Sequence, residues 1–334
     1  MSQKYSNRDN RKPEYSKPEY SVVVPVYNSE GSLRELYRRL SLVFHSLNVS
    51  WELIAVNDCS RDRSWKVLLE MAEAHQNVKA INLMNNFGQH NALMCGFHHV
   101  QGKYVITMDD DLQHPPEEIP KLISRIESGN YGVVYGQYKQ KRHGWFRDFV
   151  SASVNDLISR ITGSGYRVTS FRIMERKVVE KILAYTQYNV MIDVLIKDTV
   201  ASLDVGHCRV EHHPRTIGKS NYSFKKLFWY AVNMVFNYTV WPLRLATLLG
   251  FFFSVLGFMG VILEIILYLL QGTPVRGWTS LFLAVTFFSG IILFILGIVG
   301  EYMGRIFLNV NQKPQYVVKE LVTKNNNKPS VSKR

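Results

Sequence analysis

The sequence predicts an α/β protein, a Rossmann-type parallel sheet followed by a two-helix transmembrane hairpin. Three observations predict it. Short apolar strands alternate with amphipathic helices from Ser21 to Tyr138, the pattern of a parallel α/β sheet. Polar motifs sit where these strands end, the side on which such sheets bind ligands. No residue from Leu245 to Leu263 or from Trp278 to Gly300 is charged, and each run comes near the roughly 20 residues that cross a ~30 Å hydrocarbon layer.

Taken in order, Ser21–Tyr27 reads as a strand, Ser32–Leu47 as a helix and Trp51–Asp58 as a strand. A helix capped by Ser60 then runs to about His75, serine being a favoured N-cap. Val78–Met84 is a strand, Gln89–Val100 a helix and Tyr104–Asp109 a strand. Pro115–Glu127 is a helix opened by two prolines, and Tyr131–Tyr138 a strand, proline being tolerated in a first turn.

The apolar run after Leu245 resumes past Glu264 to Leu270, and only Gln271–Gly277 separates it from the second. Two spans so close form a hairpin with both chain ends on one side. Lys219, Lys225, Lys226 and Arg244 precede it, Arg305, Lys313 and Lys319 follow it, and the turn carries Arg276 alone. The positive-inside rule therefore places residues 1–240 and the tail in the cytoplasm. Residues 1–20 are polar and include the repeat Lys12-Pro-Glu-Tyr-Ser16, Lys17-Pro-Glu-Tyr-Ser21; they read as a disordered arm, not a signal peptide. The expected organisation is an arm over 1–19 and a cytoplasmic domain over 20–222. A juxtamembrane amphipathic helix over 223–241, two spans within 242–300 (about 245–270 and 278–300) and a C-terminal strand and basic tail over 301–334 complete it. Trp145–Ile161, within an interfacial helix over 143–162, and Phe224–Val240 place aromatic and aliphatic residues near helical spacing beside arginine and lysine, as helices lying on a membrane surface do; a packed domain helix explains the first equally.

The chain has 334 residues, with 40 Lys and Arg against 27 Asp and Glu, a net charge of +13. That excess implies an anionic partner: nucleic acid, a membrane surface or a phosphorylated substrate. No helix-turn-helix, RNP or zinc-finger pattern is present, so nucleic acid is not expected. Cys59, Cys95 and Cys208 have neither disulfide-framework nor metal-site spacing, which fits a reducing compartment.

The strand ends carry the chemistry. The first ends in Pro25-Val-Tyr-Asn28, the second in Asn57-Asp58-Cys-Ser60, the fourth in Asp109-Asp110-Asp111-Leu-Gln113. Three consecutive carboxylates emerging from an apolar strand offer hard oxygens for Mg²⁺ or Mn²⁺, ions that also bind substrate phosphates. An acidic loop capping the next helix is the plainer alternative. Near the membrane, His213-Pro-Arg215-Thr-Ile-Gly218-Lys219-Ser220-Asn-Tyr222 offers an arginine fork and a lysine point charge for a phosphate. The same loop also serves as a basic cluster that attracts anionic lipid.

These motifs, in this order, resemble the GT-A fold of family-2 glycosyltransferases. Phe87-Gly-Gln-His-Asn-Ala92 and Asp111-Leu-Gln-His-Pro-Pro-Glu-Glu118 narrow the resemblance to the polyprenyl-phosphate glycosyltransferases, among them dolichyl-phosphate-mannose synthases and the undecaprenyl-phosphate glucosyl- and 4-deoxy-4-formamido-arabinose transferases. It extends from about Tyr20 to Val318. It implies inverting transfer from a UDP-sugar donor to a polyprenyl phosphate acceptor at the inner membrane, feeding cell-envelope glycan or lipid modification. Asp109, Asp111, Arg215 and Lys219 form the implied catalytic set. Asp109, Asp111 and Gln113 hold the metal. By the same resemblance Pro25, Tyr27, Asn28, Asp58, Gln89, His90 and Asp110 would bind the nucleotide-sugar, with Asp58 accepting from the base, uracil for a UDP-linked donor. Arg215, Lys219, Ser220 and Arg172 bind the acceptor phosphate. Gln89 and His90 would equally cap a helix, and Tyr27 would equally belong to the core. The strip Pro314-Gln-Tyr-Val-Val-Lys319 corresponds to one through which relatives associate, commonly as tetramers.

Two positions depart from the pattern. Ser29 stands where many members carry Glu, with Glu30 displaced by one, and Ser170 stands where relatives carry an Asp that is a base candidate. A phosphate acceptor, with a second pKa of about 6, is already largely an anion at neutral pH, so the missing carboxylate weakens that residue assignment without weakening the reaction. Two other readings stay open. A small polysaccharide synthase calls for more spans and a Gln-x-x-Arg-Trp motif, and neither is present. A membrane-anchored nucleotide-sugar-binding scaffold without turnover is compatible with the two serines.

Overall fold

The computed structural model describes residues 17–138, 169–188, 190–201, 204–211, 240–271, 277–311 and 313–324. Four strand–helix units build the first half: β1 (Tyr20–Val26), α1 (Leu33–Leu47), β2 (Trp51–Asn57), α2 (Ser64–Ala74), β3 (Val78–Leu83), α3 (Gln89–Phe97), β4 (Tyr104–Thr107) and α4 (Ile119–Ser128). There follow β5 (Val133–Gln137), β6 (Arg172–Glu175), α5 (Arg176–Ile182), α6 (Ile192–Thr199), β7 (Val205–Arg209), α7 (Trp241–Gln271), α8 (Trp278–Val310) and β8 (Val318–Thr323).

The eight strands form one sheet in the order β7-β5-β6-β4-β1-β2-β3-β8. β4, β1, β2 and β3 run parallel, as expected. The sheet as a whole is mixed, because β6 runs antiparallel between β4 and β5 and β8 antiparallel along β3. Both inserted strands arrive after long excursions of the chain, so no short crossover helix compels a parallel direction. The inner strands are buried on both faces. Val22, Val24 and Val26 pack with α1, α2 and α4, whereas Val23, Ile54 and Val56 pack with α3, α5 and α6. This accounts for their nearly continuous apolar sequence.

The expected Ser60 cap is not formed. α2 starts at Ser64 behind Arg63, since Asp62 Oδ1 takes the Ser64 amide at 3.0 Å and tightens the turn before it. Glu52, 4% exposed at the amino ends of the strands, accepts the Ser21 hydroxyl at 2.6 Å and the Gln101 amide at 2.7 Å and pairs with Lys79 at 2.7 Å.

α7 and α8 have 31 and 33 residues, and Trp241–Gly260 and Phe287–Val310 are long and apolar enough to cross a membrane. α8 continues ten residues beyond the charge-free run, and Glu301 pairs within it with Arg305 at 2.6 Å. Phe251, Phe258, Leu269, Leu293 and Phe307 stand exposed along the two helices, an apolar surface larger than a soluble protein ordinarily shows water. The strip expected to join copies is used within the chain. Met84 donates its amide to Val317 O at 2.9 Å, and β8 pairs with β3. The N-terminal arm up to residue 16, the helix expected at 143–162, the Arg215–Tyr222 loop, all but the last residue of Phe224–Val240, Arg276 and the tail from residue 325 lie outside the described residues.

Candidate functional site

Strand order reverses between β1 and β4, since β1 continues to β2 on one side and pairs with β4 on the other. This switch point opens a crevice at the carboxyl ends of the strands. Three of the four non-glycine residues at positive φ among the described residues lie on its rim: Asn28 (55°), Cys59 (56°) and Leu112 (59°). Such conformations are costly and cluster where a site demands them.

The rim is cross-braced by hydrogen bonds between loops. Asn28 takes the Arg61 amide on Oδ1 at 2.8 Å and gives its own amide to Ser60 Oγ at 3.0 Å. Glu30 accepts the Arg63 amide at 2.8 Å and donates its amide to Asp62 at 3.1 Å. Glu30 thus binds the neighbouring loop. Ser29 gives its amide to Ser64 Oγ at 2.8 Å and its hydroxyl to the Tyr27 carbonyl at 3.3 Å.

Asp58 is 3% exposed. Its two oxygens accept the amides of Phe87 and Gly88 at 2.7 and 2.8 Å. Burial pushes its pKa up, and these two amides oppose the rise. Gly88 has φ +86°, a conformation glycine adopts without the Cβ penalty. Asp58 therefore shapes the turn that opens α3. The α3 end shows no side-chain capping bond, so Gln89 and His90 act otherwise. Gln89 reaches across to Asp109. His90 receives the Ile192 amide on Nδ1 at 3.5 Å, and burial holds its pKa down, favouring the neutral ring.

The three aspartates have different surroundings. Asp109 accepts Gln89 Nε2 on Oδ1 at 2.7 Å and Ser170 Oγ on Oδ2 at 2.6 Å. Asp111 accepts the Gln113 amide at 3.1 Å. Asp110, expected to bind nucleotide, turns inward. It is 8% exposed and accepts the Tyr27 amide at 3.1 Å, tying the end of β4 to that of β1. Burial pushes its pKa up to about 7; Ser29 and the Tyr27 amide oppose this, while the flanking aspartates add to it. Tyr27, 36% exposed, stands at the rim and not in the core; Pro25 belongs to β1.

Arg172, expected at the acceptor phosphate, is turned into the interior. It is 1% exposed, pairs with Asp193, donates Nε to Thr107 Oγ1 at 3.1 Å and lies 5.7 Å from the Tyr135 ring. Burial pulls its pKa down, but Asp193 and Tyr135 outweigh this and raise it. A buried cation needs such a partner, and the pair removes Arg172 from the expected phosphate-binding set. Sequence reading missed Thr107 and Asp193, and took Ser170 only as the place of a missing carboxylate. The available signal was a charge inside the apolar stretch Phe171-Arg-Ile-Met174.

Among the described residues no three His, Cys, Asp or Glu side chains gather as a metal cluster. Asp109 and Asp111 with Gln113 supply hard oxygen donors. That donor set fits Mg²⁺ or Mn²⁺ in the manner of an ion that keeps waters and takes substrate phosphates.

The fold is also that of solved proteins. Glucosyl-3-phosphoglycerate synthase from Mycobacterium tuberculosis in complex with phosphoglyceric acid matches with a TM-score of 0.50 at 14% identity, over 66% of this chain and 78% of that one. The same enzyme with uridine diphosphate matches at 0.49 and 15%, over 66% and 78%. With Mn²⁺ and UDP-glucose it matches at 0.49 and 15%, over 66% and 77%. Residues 21–183 match the model of glycosyl transferase family 2.

Proposed function

We propose that the chain transfers a sugar, with inversion, from a UDP-sugar to a polyprenyl (undecaprenyl) phosphate at the cytoplasmic face of the inner membrane. The observation that carries this reading is the β1–β4 crevice with Asp109 and Asp111 on its rim, in a chain that also has two membrane-length apolar helices. Pro25, Tyr27 and Asn28 bound the nucleotide pocket, and Asp58 lies at its base beneath the Phe87–Gly88 turn.

Asp109, Asp111 and Gln113 would hold Mg²⁺ or Mn²⁺, which when bound supplies charge neutralisation for the departing diphosphate. An oxygen of the lipid phosphate attacks the anomeric carbon from the face opposite the diphosphate. The bond from that carbon to the β-phosphate oxygen breaks, and UDP leaves with the electron pair. With a second pKa of about 6, the phosphate brings its own negative charge, so no side chain has to remove a proton. Ser170, which donates to Asp109, is compatible with such a step. Arg215, Lys219 and Ser220 clamp the acceptor phosphate, and surface helices with the hairpin hold the lipid headgroup, so much of the acceleration is proximity. The lipid-linked sugar then serves an envelope glycan or lipid modification.

The test is UDP release by the full chain in detergent with undecaprenyl phosphate, Mn²⁺ and a panel of UDP-sugars. Release with at least one donor is expected, together with its loss in Asp111→Asn. Absence of release with every donor, alongside retained UDP binding, would refute this reading in favour of a binding scaffold.

A further inference from the structure

We propose that Ser170 and Gln89 are positioning residues for Asp109 and, through it, set the affinity of the crevice for a divalent cation. This rests on the reading of Asp109 as a metal ligand. The two donors come from different elements and hold different oxygens. Gln89, in the first turn of α3, gives Nε2 to Oδ1 at 2.7 Å, and Ser170, just before β6, gives its hydroxyl to Oδ2 at 2.6 Å. One donor on each oxygen fixes the rotation of the carboxyl group about its own axis.

Ser170 is itself held. Its carbonyl accepts the Thr107 hydroxyl at 2.6 Å, Thr107 Oγ1 accepts Arg172 Nε at 3.1 Å, and Arg172 is anchored by Asp193. The hydroxyl therefore stands on a braced part of the sheet. The serine that replaces a carboxylate in this chain has a role of its own: it orients the carboxylate beside it. Partners of this kind around ligating groups are typically worth about 10- to 100-fold in metal affinity.

The experiment titrates Mn²⁺ into the full chain in detergent, with UDP present, and reads free Mn²⁺ by electron paramagnetic resonance. Ser170→Ala and Gln89→Ala should each weaken binding by about 10-fold. Ser170→Thr, which keeps the hydroxyl, should restore it to within about threefold. Excess Mn²⁺ should recover the UDP-release rate of the alanine variants. Unfolding midpoints control for folding; if that of Ser170→Ala drops, Gln89→Ala, whose side chain is exposed, carries the test. Asp109→Asn separates the two levels. If it binds Mn²⁺ like the parent, the metal reading fails and this inference with it. If it loses Mn²⁺ while both alanine variants bind within twofold of the parent, only the positioning role is overturned.

Discussion

Asp193→Asn tests the support beneath the crevice most directly. The substitution keeps the shape of the side chain and removes the charge that faces Arg172. The guanidinium would remain 1% exposed, with Thr107 Oγ1 at 3.1 Å and the Tyr135 ring at 5.7 Å as its remaining partners. Removing one member of a buried pair costs about 3–5 kcal/mol, because the other charge stays desolvated. The asparagine carbonyl still accepts one hydrogen bond, which brings the expected loss to about 3 kcal/mol. For a domain of this size, 1 kcal/mol moves the midpoint by about 2–4 °C, so the melting temperature should fall by about 6–12 °C. Differential scanning fluorimetry on the full chain in detergent reads it. The double variant Arg172→Met, Asp193→Leu supplies the control. With both charges gone it should be more stable than Asp193→Asn alone, since replacing a buried pair by apolar groups is often neutral. A midpoint for Asp193→Asn within 2 °C of the parent, or a double variant less stable than the single one, refutes the argument.

Three further outcomes follow from the same geometry. Asp58→Asn replaces an acceptor that serves the Phe87 and Gly88 amides by a group able to accept only one of them. It should cost about 2–3 kcal/mol and weaken UDP binding measured by calorimetry; unchanged affinity and stability would remove Asp58 from the turn. Glu52→Ala strips the partner from Lys79, Ser21 and the Gln101 amide at the opposite pole of the sheet. It should lower the melting temperature while leaving the KM for donor unchanged, and a raised KM would contradict the separation of the two poles. Burial holds His99 down to about 4, with Lys79 contributing in the same direction. A depressed folded pKa means that the stability from a neutral His99 is complete above the unfolded value of about 6.5 and is lost as pH falls towards 4. His99→Gln should flatten part of the decline in melting temperature over that window, and an identical slope in both proteins would show that other groups dominate.

The alternation of strands and helices, and the crevice with its aspartates, were legible because both follow from local pattern. Strand starts and ends agree with expectation to within about two residues, as at Trp51–Asn57 and Val78–Leu83. What was not legible depends on distant partners. The Asp109–Asp111 run reads as three carboxylates that all face the ligand, the outer two towards a metal and the middle one towards the nucleotide-sugar, whereas the pairing of β4 with β1 turns the middle one inward to the Tyr27 amide. Arg172 reads as a phosphate clamp because arginine is suited to one. Its partner Asp193 lies 21 residues on, on a helix whose sequence gives no hint of facing β6. The reversal of β6 had the same cause, since direction is set by where the chain re-enters the sheet and not by the four residues of the strand.

In the proposed reaction, the return of the chain after the second apolar helix bears on how the acceptor is reached. Only seven residues separate Val310 at the end of α8 from Val318 at the start of β8. At up to about 3.6 Å per residue, the end of that helix cannot lie more than about 30 Å from the β8 edge of the sheet. The link is also fastened along its length. Lys313 Nζ lies 4.2 Å from the Tyr188 ring, and Gln315 Nε2 donates to the Tyr185 and Gln187 carbonyls at 2.9 and 2.8 Å. Tyr316 and His98 share a hydrogen bond of 2.9 Å. The segment it grips, Tyr185–Tyr188, leads into α6, and α6 carries the Asp193 that anchors Arg172. Each fastening shortens the freely moving part of the tether, and effective concentration rises as a tether shortens towards the span it must bridge. Substituting Gln315 by Ala frees two carbonyls at once. In the proposed reaction it should raise the KM for the lipid acceptor more than that for the UDP-sugar, because the donor crevice at the β1–β4 switch point does not depend on the link. Equal effects on both substrates would mean that the fastening serves the fold as a whole and not the approach to the membrane.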